Sequence, residues 1–274
     1  RFRLDMAQLE AAVAADRAAG LRPFCVVANA GTTNTGAVDP FPELAAFCRA
    51  EELWLHADGA YGAAAMIAPE GRAAMQGLQE VDSLSIDPHK WLFQPFEIGC
   101  VLVRDRRWLR DTFRVMPDYL RDAHRLREEI NFCDHGVQLS RGFRALKLWM
   151  SLKVFGAAAF REAVSRGFRM AELAERALRA AGWWEIVSPA QLGVAAFRYA
   201  APGCPPERLE AINRDLTPAA AADGYASLSS TVLGGRTTLR FCTINPRTTE
   251  AEIVETVDRL GRLAGAASRA ARMG

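Results

Sequence analysis

The chain has 274 residues, half of them hydrophobic, with 34 basic and 32 acidic side chains and a formal net charge of +2. That length supports a large core in one or two domains, and the balanced charge gives no electrostatic case for a nucleic-acid partner. No apolar run is long enough to span a membrane and no signal peptide is expected. Six cysteines (25, 48, 100, 133, 204 and 242) form no CxxC pair, so reduced thiols in a cytoplasmic protein are expected.

Residues 5–19 read as a helix opened by Asp5 and closed by Gly20. Residues 24–28 are a continuous apolar strand, the pattern of a sheet covered on both faces. The polar turn from Gly31 to Gly36 follows that strand's carboxyl end; it reads either as a plain loop or as the floor of a ligand site. A helix over 40–50 tolerates proline near its start. A second strand over 53–58 ends on Asp58. Gly59, Ala60 and Gly62 are small enough to let backbone approach a flat ring.

Leu84 and Ile86 alternate with Ser83 and Ser85 in a third strand, which Pro88 ends. His89 and Lys90 then fall at a strand's carboxyl end, where open α/β sheets place their ligands. Residues 99–103 read as a buried strand and 104–111 as a short basic helix. Over 114–136 charge is dense and apolar periodicity poor, the mark of a functional or disordered loop.

From 141 to 181 the pattern is helical, with a break at Gly156 and an end at Gly182. Strands over 184–187 and 194–198, a helix over 206–222, strands over 225–232 and 238–242, and a helix capped by Thr248 and running to Ala264 complete the chain. The expected fold class is α/β: a mostly parallel sheet domain over 1–146, then a smaller α+β domain over 147–274. There is no internal repeat.

Only three of the 34 basic residues are lysines: Lys90, Lys147 and Lys153. Lysine alone offers an amine that can be deprotonated for Schiff-base chemistry. By itself Lys90 reads as a surface lysine, and Asp58 as a helix cap. Together they read differently. They stand 32 residues apart, enough for one crossover between neighbouring parallel strands. Both would then project from one sheet edge. Pyridoxal phosphate enzymes need this pair: a lysine for the aldehyde and an acid for the pyridine nitrogen.

Four stretches sharpen the reading: Asn29-Ala-Gly-Thr-Thr-Asn-Thr-Gly-Ala-Val-Asp39, Trp54-Leu-His-Ala-Asp-Gly-Ala-Tyr61, Asp87-Pro-His-Lys-Trp91 and Arg141-Gly-Phe-Arg-Ala-Leu-Lys-Leu-Trp149. In this order and spacing the chain resembles the group II pyridoxal-phosphate decarboxylases, the aromatic-L-amino-acid decarboxylase family of fold type I. The resemblance covers essentially all 274 residues but only the later part of a family member. The family's ring-stacking residue and its Ala-Ser phosphate pair precede the matched region. The expected fold is therefore a fold type I PLP-dependent transferase, with a partial three-layer sheet domain and a small C-terminal domain.

The resemblance implies pyridoxal 5'-phosphate held covalently by Lys90, with Asp58 on the pyridine nitrogen, Ala60 packed against the ring and Thr33 in contact with the cofactor. It places His89 beside cofactor and substrate, where proton transfer is open to it. Asp87, at a cofactor-contact position, replaces the asparagine of the animal aromatic decarboxylases; a carboxylate there would repel a phosphate. Tyr119, 29 residues after Lys90, matches a tyrosine on a mobile loop that closes over the active site. Ser140 falls where the family places a substrate-pocket residue.

The implied reaction is decarboxylation of an aromatic L-amino acid to the amine and carbon dioxide, in a homodimer whose active site lies at the interface. The alternatives are an aldehyde synthase or an acidic-amino-acid decarboxylase of the same family, or a truncated non-catalytic paralogue acting as a dimer partner. His56, His124 and His135 have no metal-ligand spacing, and no metal is expected.

Overall fold

The computed structural model describes residues 2–115 and 130–270. Helix α1 (Met6–Ala18) begins where the Asp5 carboxylate accepts the Gln8 amide at 3.1 Å, satisfying a donor that a helix start leaves unpaired. Strands β1 (Cys25–Asn29), β2 (Trp54–Asp58) and β3 (Ser83–Ile86) run parallel. Strand β4 (Cys100–Val103) joins β3 antiparallel, giving the order β1-β2-β3-β4.

Helix α2 (Phe41–Ala50) carries the chain from β1 to β2. Pro42 sits in its first turn, where no amide donor is needed. Its inner face buries Phe41 and Leu44 completely, each contributing roughly 2–3 kcal/mol of hydrophobic stabilisation. A 3-10 turn (Gly62–Ile67) and helix α3 (Pro69–Ala74) lead from β2 to β3.

One face of this sheet is packed and the other largely open among the described residues. Val26 and Ala28 are buried, whereas Val27 between them is 58 % exposed. The second layer is represented by helix α4 (Arg106–Phe113), capped by Asp105, whose Trp108 meets Trp54 edge-on at 4.6 Å. The expectation of a buried fourth strand is corrected: Val101 and Leu102 are each 51 % exposed. β4 is an edge strand, and a short apolar run does not by itself distinguish an edge from a centre.

Helix α5 (Ala145–Ala181) breaks at Gly156 (φ 78°, ψ 153°) and ends at Gly182 in the left-handed region, both at the glycines expected. The second sheet is antiparallel, in the order β5-β6-β8-β7: β5 (Trp184–Gln191), β6 (Val194–Tyr199), β7 (Ser229–Leu233) and β8 (Arg236–Cys242). With α5, α6 (Pro206–Asp223) and α7 (Glu250–Ala270) it encloses a core that includes Leu178, Phe197, Leu239 and Leu260. The cap of α7 is Thr249 rather than Thr248. Its hydroxyl accepts the Glu252 amide at 3.3 Å, and Glu252 Oε2 accepts the Thr249 amide at 2.7 Å. This reciprocal pair is a capping box. Among the described residues no helix is long and apolar enough to cross a membrane.

Candidate active site

The three parallel strands end at one edge, and their exits are stitched together. Ala30 N–H donates to the Asp58 carbonyl at 2.8 Å, Gly59 N–H to Ser85 at 3.0 Å, and Asp87 N–H to Ala60 at 3.1 Å. The turn after Asp58 has no spare room. A Cβ on Gly59 would lie 2.4 Å from the Ala63 Cβ, and one on Gly62 would lie 2.2 Å from the Ala30 carbonyl oxygen. Glycine is therefore required at both places.

Asp58 is exposed at this edge. Its Oδ1 accepts from the Ala60 amide at 3.0 Å and the Ser85 hydroxyl at 3.4 Å. Oδ2 has no hydrogen-bond partner among the described residues, so it is available to a ligand's N–H. Ala60, next but one, is half-buried.

Lys90 follows a tight turn in which its amide donates to the Asp87 carbonyl at 2.9 Å. Its side chain is 38 % exposed, and Nζ pairs with Asp87 Oδ2 at 2.9 Å. His89 Nε2 stands 3.9 Å from the same oxygen. The other ring nitrogen of His89, Nδ1, lies 2.7 Å from the Ile98 carbonyl oxygen and 3.2 Å from the Ile98 amide. Asp87, His89 and Lys90 thus form one cluster around a single carboxylate.

Thr33 is exposed in the loop after β1, and its carbonyl accepts from Arg240 Nη1 at 2.6 Å. That bond brings β8 of the second sheet to the first sheet's carboxyl edge. Ser140 is exposed. Tyr119 lies outside the described residues.

Sequence reasoning passed over the residues that hold the loop behind Lys90. Arg144 binds Glu97 Oε1 through Nε at 2.9 Å and Nη2 at 2.6 Å. The hydrogen bonds and charge of Arg144 hold the Glu97 carboxyl below its ordinary range. Lys147 Nζ donates to the carbonyls of Pro95, Phe96 and Glu97 at 3.3, 3.4 and 3.1 Å. Both cations belong to the Arg141 stretch and stand three residues apart, on one face of a helix; that spacing was the available signal. Tyr61, Trp91 and Arg240 were also passed over, each acting across a distance no local pattern reveals.

The donor set suits pyridoxal phosphate. A reachable primary amine, a carboxylate oxygen without a partner among the described residues and a small-sided turn meet at neighbouring strand ends. The family model described as "Pyridoxal-dependent decarboxylase conserved domain" matches residues 1–200. An aromatic-L-amino-acid decarboxylase of Bacillus atrophaeus is 47 % identical over 96 % of this chain and 55 % of its own length. A 4-hydroxyphenylacetaldehyde synthase of Rhodiola rosea is 34 % identical over 94 % of this chain and 52 % of its own length. Among solved structures, Oryza sativa TDC with PLP and tryptamine superposes with a TM-score of 0.89 at 32 % identity, over 97 % of this chain and 55 % of that one. The chain spans about half the length of the curated relatives it matches. With this match over residues 1–200 and the fold type I architecture of its structural neighbours, the chain belongs to the pyridoxal-dependent decarboxylase family.

Proposed function

We propose that the protein carrying this chain decarboxylates an aromatic L-amino acid to the amine and carbon dioxide, using pyridoxal 5'-phosphate. The observation that carries this reading is the placement on one sheet edge of a reachable Lys90 amine and an Asp58 oxygen that has no partner among the described residues. When bound, pyridoxal phosphate supplies an electron sink for the charge left on the substrate's Cα.

Lys90 would hold the cofactor aldehyde covalently and yield it to the incoming amino group. Asp58 Oδ2 would accept the pyridine N–H, and a carboxylate there favours the protonated ring. Ala60 would pack beneath the ring and Thr33 would contact it. Asp87 holds the Lys90 amine in place, and His89 stands where it could move a proton at the substrate. Tyr119, on its charged segment, would deliver the proton to Cα after carbon dioxide leaves. Ser140 would take part in selecting the side chain.

The working unit in this reading is a cytoplasmic homodimer with the active site at its interface; six free thiols accord with a reducing compartment. Two domains are proposed to meet at residues 146 and 147, since the buried residues form two clusters, one on each sheet, although the first also takes in Val164, Leu192 and Val194 from beyond that boundary. A second reading, the aldehyde synthase, is favoured by the Rhodiola rosea relative.

Borohydride reduction of the full-length protein followed by peptide mapping should place a pyridoxyl group on Lys90, and Lys90→Ala should carry none. With L-tryptophan or L-tyrosine, one equivalent of carbon dioxide should accompany amine. Aldehyde, ammonia and hydrogen peroxide formed with consumption of dioxygen, in place of amine, would select the second reading. A label retained in Lys90→Ala would refute the lysine assignment.

A further inference from the structure

Lys90 and Trp91 are consecutive and oppositely disposed. The lysine side chain is 38 % exposed while the indole of Trp91 is fully buried. The indole stacks on Tyr61 with ring centroids 5.3 Å apart and planes 11° apart, and it meets Phe168 of α5 at 5.4 Å. Tyr61 stands three residues after Asp58. Each of the two residues proposed to grip the cofactor is thus followed closely by one member of a stacked aromatic pair.

The pair is docked on the second sheet. The Tyr61 hydroxyl donates to the Leu192 carbonyl at 2.5 Å, across 131 residues of chain. The slot is cut to the indole by two glycines: a Cβ on Gly167 would come within 3.0 Å of Trp91 Cζ2, and one on Gly193 within 3.1 Å of the same atom. Gly193 is also held at φ 72°. Buried Thr243 ties the two glycine segments together, its hydroxyl donating to the Gly167 carbonyl at 2.8 Å while its amide donates to the Gly193 carbonyl at 2.9 Å. Trp91 Nε1 is buried without a hydrogen-bond partner among the described residues, so among them the indole is held by shape and stacking.

Little slack separates this pair from the site. The chain from Asp58 to Tyr61 is fixed by the Asp58 Oδ1 to Ala60 amide bond and by the crowding at Gly59 and Gly62. Trp91 is joined to Lys90 by one peptide unit, and a buried ring in a close-packed slot has no alternative position.

We infer that the Tyr61–Trp91 stack, anchored on the Leu192 carbonyl, is a positioning device that sets Lys90 relative to Asp58. This rests on the cofactor reading above. Both residues act through their neighbours and touch no reacting atom. Shifting the stack would turn the lysine-held ring against the Asp58 carboxylate, and a misplacement of about 1 Å can cost roughly a hundredfold in rate.

The test uses full-length Tyr61→Phe, Trp91→Phe and Trp91→Leu, each studied well below its unfolding midpoint. Tyr61→Phe keeps the stack and removes only the anchor. Visible circular dichroism of the bound cofactor reports how the ring sits, and borohydride labelling reports that Lys90 still holds it. The expected result is a Lys90 label in every folded variant and a visibly reduced dichroic band. Turnover should fall by about tenfold to a hundredfold with KM for L-tryptophan or L-tyrosine within about threefold, and Trp91→Phe should retain more than Trp91→Leu. If Trp91→Leu does not fold, the two phenylalanine variants decide.

Folded, labelled phenylalanine variants with the parent band and parent turnover would overturn this inference alone, leaving the stack a packing feature. An unlabelled Lys90 in the parent protein would overturn the cofactor reading, and this inference with it.

Discussion

Lys90 Nζ lies 2.9 Å from Asp87 Oδ2, so the lysine proposed to hold the cofactor is paired with a carboxylate three residues before it. An amine engaged in this way must leave its partner before it can attack an aldehyde, and the same carboxylate repels an incoming phosphate. Asp87→Asn should therefore speed the reconstitution of cofactor-free protein. A charge pair about 4 Å apart in water is worth about 1 kcal/mol, or roughly fivefold in rate. Stopped-flow absorbance on mixing with pyridoxal phosphate measures it. Slower reconstitution would mean that Asp87 assists capture by orienting the amine.

Asp58→Asn preserves the shape of the turn and the Ala60 amide contact while removing the charge at the strand edge. The expected outcome is near-parent cofactor content and a loss of about a hundredfold in turnover, the scale for one preorganised electrostatic partner. Cofactor stoichiometry and steady-state kinetics separate the two. A loss confined to thermal stability would return Asp58 to the role of a local cap.

Gly156 should tolerate no side chain, although space is open around it. Among the described residues nothing lies within 4 Å of a Cβ placed there, so the cost comes from the backbone conformation, φ 78° and ψ 153°. That region is essentially reserved for glycine, and Gly156→Ala should destabilise by about 1–3 kcal/mol. Because Arg144 and Lys147 stand at the start of the helical segment that ends at this break and hold residues 95–97, straightening the helix should also loosen the loop behind Lys90. Urea unfolding measures the first effect, and amide hydrogen exchange over that loop the second.

Arg198 is nearly fully buried on β6 and pairs with Glu210 of α6 at 3.1 Å. The Thr237 hydroxyl and amide bind the same carboxylate, and these bonds with Arg198 hold Glu210 below its ordinary value. A depressed carboxylate stabilises the fold above its unfolded pKa, about 4.3 for glutamate. That stability is lost as pH falls through the folded value. Glu210→Ala should cost roughly 2 kcal/mol at neutral pH, below the 3–5 kcal/mol of a wholly buried pair because Glu210 is part-exposed. The melting temperature of Glu210→Gln should drop less steeply than the parent's between about pH 5 and pH 3. Equal slopes would show that the pair contributes nothing to acid stability.

The sequence by itself determined several of the points where elements start and stop, because those signals are local. Asp5 caps α1, Gly156 and Gly182 interrupt and end α5, and Pro88 terminates β3 just before His89 and Lys90. The same local logic placed Asp58 and Lys90 at one sheet edge, since parallel strands joined by one crossover leave their carboxyl ends side by side. Tertiary structure alone decided which side chains support that edge. The exposure of β4 depends on what lies beside and over it, and an apolar run is the same in either case. Arg240 reaching Thr33, Arg144 gripping Glu97, Tyr61 stacking on Trp91 and the Tyr61 hydroxyl reaching Leu192 are contacts between segments 30 to 207 residues apart. Such partners are selected by packing, where shape and hydrogen-bond satisfaction are matched across the whole core, and no window of sequence contains both halves of the match.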